Sequence, residues 1–166
     1  MAAKTLENNL MHSRAAYLHA IRALPSPEDI RSRSIFQHGM EFSRADQIKS
    51  QLIELGWAFF PRYEACLEKW LKDQGVELSR QVSLSCWLSA RGVNIPEEYS
   101  EGLTVYRTIR NALHHDDGAT FDGSPQPEFH LLPDHMENFF HLFCWVGQQV
   151  EQHTGSASVR ENNRDC

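Results

Sequence analysis

The sequence predicts an all-α domain, a helical bundle of about five helices. Three observations carry this. Apolar residues recur at steps of three and four through most of the chain. Prolines and glycines fall between those runs, where helices start and stop. No stretch alternates apolar and polar residues convincingly enough to be a strand, and no internal repeat is visible.

In chain order, residues from about Leu6 to Leu24 set Leu6, Leu10, Met11, Tyr17, Leu18, Ile21 and Leu24 at helical spacing, and Pro25-Ser26-Pro27 ends the run. Ser26-Pro27-Glu28-Asp29 then suits a helix start, with serine as N-cap, proline in the first turn and acids at the positive pole. From Ile30 the pattern continues through Ile35, Phe36, Met40 and Phe42, with Gly39 as a break. It resumes over Ile48, Leu52, Leu55, Phe59, Tyr63, Leu67, Trp70 and Leu71 until Asp73-Gln74-Gly75, and Pro61 is expected to kink or divide it. Ser79 to Arg91 reads as a shorter helix stopped by Gly92. Pro96-Glu97-Glu98 opens another, and residues after Gly118 up to about Leu132 read as a loop. Pro133-Asp134 begins the last helix, which ends before Gly155. One domain over 1–152 and a flexible tail over 153–166 are therefore expected.

A chain of 166 residues is long enough for one sizeable core. Charged residues make up 23% and no apolar run approaches the roughly 18 residues of a membrane span, so no membrane association is expected. The first residues, Met1-Ala2-Ala3-Lys4, lead into no apolar block of signal-peptide length. Cys66, Cys86, Cys144 and Cys166 form no Cys-x-x-Cys and read as reduced thiols. These features suit a cytoplasmic protein. A net charge of -6 argues against a broad basic surface that coats nucleic acid, so any such contact must be local.

The chemistry gathers between Tyr106 and Gly118, where Arg107, Arg110, Asn111, His114, His115, Asp116 and Asp117 crowd into one segment. At about 100° per residue, Val105, Ile109, Ala112 and Leu113 share one side of a helix, while Arg107, Arg110, Asn111 and His114 lie around the other. The imidazoles fall in or just after the last turn, near the negative pole, which favours their protonated form. His114 is about 40° from Arg110 around the axis and His115 about 140°.

Arg110-Asn111-Ala112-Leu113-His114-His115 fits arginine, a polar residue, three residues and histidine, followed by Gly118. With the long upstream helix through Trp57 to Leu71 and a single helix after it, this resembles the signature of the HEPN superfamily, over about residues 40 to 152. The resemblance implies a helical bundle that pairs as a homodimer, with two motifs meeting across the interface. It implies a metal-independent endoribonuclease with RNA as substrate, acting in a toxin or defence role with a cognate antitoxin or regulatory protein as partner. Arg110 would hold the scissile phosphate and His115 would move a proton at the 2′-hydroxyl or the 5′-oxygen. Asn111 would orient the histidine or bond the phosphate, and Glu64 would position Arg110 from the upstream helix. Arg107 and His114 are supporting residues. No cofactor and no metal are called for. The alternative is a catalytically silent, dimeric RNA- or protein-binding regulatory module of the same fold.

Other readings of the same residues stand beside this one. Arg110 and Asn111 also fit a surface ion pair and cap facing Glu64 or Asp116. Trp57, Phe59, Phe60, Tyr63 and Trp70 fall at helical spacing and fit a core or a dimer interface better than a base-stacking platform. His114-His115-Asp116-Asp117 with His130, Asp134 and His135 offers ligands for a divalent metal, as in helical phosphohydrolases. No partner motif supports that reading. Serine and cysteine nucleophile motifs and glycine-rich phosphate loops are absent from the sequence.

Overall fold

In the computed structural model the described residues are 2–79, 82–115 (backbone alone over 111–115) and 130–154. They form an all-α bundle with one small hairpin. The order is α1 (Ala2–Arg22), α2 (Asp29–Ser32), β1 (Ile35–Gln37), β2 (Met40–Phe42), α3 (Ala45–Asp73), α4 (Leu84–Ser89), α5 (Glu97–His115) and α6 (Pro133–Thr154). The expected loop after Gly118 lies outside the described residues as far as 129, as does the expected tail from 155; His153 and Thr154 belong to α6.

The hairpin corrects the sequence reading, which runs a helical pattern through Ile30–Phe42. His38 (φ 51°) and Gly39 (φ 82°) both adopt the left-handed conformation, which a two-residue turn of matching twist requires. Gly39 is therefore the bend of a hairpin and not a break in a helix. Ile35 pairs with Phe42 and Phe36 with Glu41. The period of two turns Phe42 inward to join Ile30 and Ile48 in a cluster separate from the main core, with Leu24, Ile35 and Leu52 packed on it. Phe36, on the other face, is 76% exposed. Before the hairpin, the Asp29 amide donates to Ser26 Oγ at 3.1 Å, but the N-cap of the helix that follows is Glu28 and not the expected Ser26. That helix, α2, lasts one turn.

Pro61 does not divide α3, which runs unbroken for 29 residues. Proline removes one amide donor and crowds the preceding turn. The helix is held through that point by its buried face, with Phe60, Tyr63, Leu67, Trp70 and Leu71 all in the core. Its start is fixed by Gln47, whose Oε1 accepts from the amides of Ser43 and Arg44 at 2.9 and 3.0 Å. Its end comes at Gly75 as the sequence suggests, with φ at +73° and the Val76 amide donating back to the Leu71 carbonyl at 2.9 Å. The helix expected over Ser79–Arg91 is shorter: α4 begins only after Ser83, whose Oγ accepts from the Cys86 amide.

The core is the seam between α1, α3, α5 and α6. Phe60 meets the Phe139 ring edge-on with centroids 5.0 Å apart, and Tyr106 meets Phe143 in the same way at 5.1 Å. These contacts seat α3 and α5 on α6. The first turn of α1 is tied down twice, by the Trp70 indole donating to the Ala2 carbonyl and by the Ala2 amide donating to Glu151, both at 2.8 Å. No described helix is long and apolar enough to cross a membrane. Cys66, Cys86 and Cys144 are half-buried and form no disulfide, and burial pushes the Cys144 thiol up to about 11.

Arg14 of α1 makes a two-pronged ion pair with Glu137 of α6, at 2.8 and 2.7 Å, and its guanidinium lies over the Phe140 ring. The hydrogen bonds from Arg14 hold the Glu137 carboxyl below its ordinary 4.5. A carboxyl depressed by folding contributes stability that is full above its unfolded pKa and is lost as pH falls through the folded one. Glu137→Gln is expected to cost roughly 1 kcal/mol near neutrality, since the pair is partly open to solvent. Melting curves from pH 7 down to pH 3 check it: the gap between wild type and variant closes as the pH drops below about 4.5.

Candidate active site

Near the end of α5, Arg110 reaches across to the C-terminal half of α3. Its Nε donates to Glu68 Oε1 at 2.6 Å, a half-buried pair with the arginine side chain 15% exposed and the glutamate 30%. The carboxylate that grips Arg110 is thus one turn beyond Glu64, the expected partner. Glu64 is itself buried on the same face of α3, beside Tyr106.

Tyr106 lies near Glu64, Glu68 and Arg110. Its ring is in the core and its hydroxyl makes no hydrogen bond of good geometry among the described residues. Burial pushes this hydroxyl well above the ordinary tyrosine range. Glu64 and Glu68 add to the shift and the Arg110 guanidinium opposes it. The phenol is therefore a neutral donor lying next to the arginine at any ordinary pH. Local sequence explains the grouping, because Tyr106 and Arg110 are four apart on α5 and Glu64 and Glu68 are four apart on α3.

Arg110 and Glu68 open onto a cleft of about 520 Å³, whose wall also includes Lys69 and Lys72 of α3 and Val76 and Leu78 just beyond it. The two lysines were not legible as site residues in the sequence, where they look like ordinary helix-surface charges. Only the docking of α5 brings them beside Arg110. Arg107, a turn earlier, is exposed and is not part of the cleft wall.

Asn111, His114 and His115 continue α5, which stays helical through His115. Their side chains lie outside the described residues. Because the backbone does not unwind before His115, positions 110 and 115 stand about 140° apart around one helix axis, and positions 110 and 114 about 40°. Asp116, Asp117 and Gly118 lie outside the described residues.

A second hollow, of about 650 Å³, lies against the N-terminal half of α5, with Glu98, Glu101, His130, His135 and His141 on its wall. His135 is partly committed, its Nδ1 accepting from the Leu132 amide at 3.2 Å. Among the described residues no three histidine, cysteine or carboxylate side chains converge closely enough to hold a metal ion. The larger hollow thus lacks the arginine of the smaller cleft, and only the latter adjoins the motif.

Set against protein-family models, curated proteins and solved structures, the chain matches none, so the site stands on its own geometry.

Proposed function

We propose that this protein is a HEPN-like, metal-independent endoribonuclease that acts as a homodimer in a toxin or defence setting, with a cognate antitoxin or regulatory protein to restrain it. The observation that carries the reading is the guanidinium of Arg110, seated by Glu68 at the mouth of a cleft and leading directly into Asn111 and His115. An arginine is suited to hold a phosphodiester because its planar fork presents several N–H donors at once, and the bond to Glu68 uses only Nε. Charge that builds on the phosphate oxygens in the transition state is then met by a donor set already in place. An imidazole can accept and return a proton near neutrality, and that is the work His115 would do at the 2′-hydroxyl and the departing 5′-oxygen.

The angular separation of positions 110 and 115 on a continuous helix is the reason for the dimer. Within one chain the two act toward different sides, whereas a second copy related by a two-fold axis brings its His115 toward the first copy's Arg110. The same ion pair favours a second reading, a silent dimeric module that binds RNA or protein, because a guanidinium already neutralised by Glu68 attracts phosphate less strongly.

The test uses purified protein with mixed RNAs in excess chelator. Wild type is expected to cut them, and Arg110→Ala and His115→Ala are expected not to. Equal degradation by all three rejects the site; no degradation by the wild type favours the silent module.

A further inference from the structure

The geometry points to an RNA-backbone subsite on the last turns of α3, in which Lys69 and Lys72 hold the phosphates next to the one bound by Arg110. The inference rests on the ribonuclease reading and extends it from a cutting point to a track for the strand.

Four features of the cleft support it. Lys69 and Lys72 are three apart on one helix, so their stems rise from the same face of α3 on neighbouring turns. Both are exposed, and neither has an ion-pair partner among the described residues. Of the carboxylates in the cleft wall, Glu68 is already bonded to Arg110, which leaves Glu77 alone to oppose two free ammonium groups. Half-buried Leu78 lines the same cleft over the buried Val76, an apolar contact for the sugar and base faces that a phosphate chain carries with it.

The location also fits the charge balance of the whole chain. A protein of net charge -6 cannot gather a polyanion over its surface at large, so its affinity must come from a small cluster of uncompensated cations. Such a cluster sits here, beside the arginine of the motif. Lysine serves well in this role: a mobile point charge neutralises successive phosphates without reading a base, so the track is sequence-tolerant.

The experiment measures binding apart from cutting. A single strand of about twelve nucleotides, every 2′-oxygen methylated so that it lacks the nucleophile, is titrated against wild type, Lys69→Gln/Lys72→Gln and the control Lys49→Gln/Arg31→Gln. The control removes the same charge from α2 and from a point about 30 Å back along α3. Anisotropy is followed from about 50 to about 200 mM salt. The lysine variant is expected to lose roughly 1.4 from the slope of log affinity against log salt, about 0.7 for each single-strand phosphate contact, and to cut unmodified RNA with a raised KM and a kcat near that of wild type. The control keeps the wild-type slope. If wild type binds and cuts RNA while the lysine variant titrates like the control, the subsite is wrong and the ribonuclease reading survives. If wild type neither binds the strand nor cuts RNA, the ribonuclease reading fails and takes the subsite with it.

Discussion

Arg110→Ala is expected to reduce RNA cleavage by roughly two to three orders of magnitude, the usual cost of removing a preorganised donor from charge that develops in a transition state. Taken alone that loss is ambiguous, because the substitution also takes the Arg110 ion pair from Glu68. The Glu68 side chain is 30% exposed, so losing that pair costs roughly 1 kcal/mol of stability. Adding Glu68→Gln separates the two effects. The doubly substituted protein has lost both charges of that ion pair together and is expected to melt close to wild type, yet to cut as poorly as Arg110→Ala. Glu68→Gln by itself keeps the guanidinium and loses only the charge that orients it, for an expected fall of about tenfold. Cleavage rates and melting temperatures for the four proteins complete the cycle. Wild-type cleavage by a folded double variant would remove Arg110 from the chemistry and leave it a structural cation.

The largest effect on the fold is expected at Gly56. A Cβ there would run into the backbone carbonyl oxygen of Leu131, with Leu131 Cβ at 2.8 Å, and neither atom is the movable end of a side chain. Glycine in the interior of a helix ordinarily costs stability, about 1 kcal/mol relative to alanine, so the position is tolerated for the contact it permits. Gly56→Ala is expected to lose roughly 3 kcal/mol net, a melting point lower by roughly 6–12 °C for a chain of this size. Gly147→Ala is the comparison. The obstruction at that site is Leu6 Cδ2 at 2.9 Å, the far end of a leucine that can change rotamer, so its loss should be much smaller. Equal melting points for the two variants would mean that the 130–132 segment moves off α3 without penalty.

The long helices are legible because burial and period agree in them. Leu67, Trp70 and Leu71 in α3 and Phe139, Phe143 and Val146 in α6 are apolar at the spacing a helix demands, and all are in the core. The hairpin is not legible for the opposite reason. Phe36 and Met40 are apolar yet exposed, so the alternation of a half-buried strand is blurred, and His38-Gly39 is an uncommon pair for a turn that usually takes asparagine and glycine. α4 is overread because Val82, an apolar residue within the expected Ser79–Arg91 span, is 39% exposed and precedes the helix. At the candidate site, Arg110 is singled out by its motif, and a carboxylate partner on the upstream helix is anticipated. Which carboxylate is not. Glu64 and Glu68 share one face of α3, and the choice between them is an axial shift of one turn, set by how Phe60, Tyr106 and Phe143 interlock. Lys69 and Lys72 are hidden from the sequence by the same dependence, since nothing local distinguishes them from solvated lysines.

The separation of the Ile30–Phe42–Ile48 cluster from the main core divides the protein's cohesion into two unequal shares. Few residues hold the smaller share, and α5 contributes none of them. Fraying near the two-residue bend therefore leaves the seat of Arg110 intact, because about five turns of α3 lie between Ile48 and Glu68 and are gripped by other partners. The bend is where this chain can absorb added residues or local wear without cost to the opposite end of its longest helix.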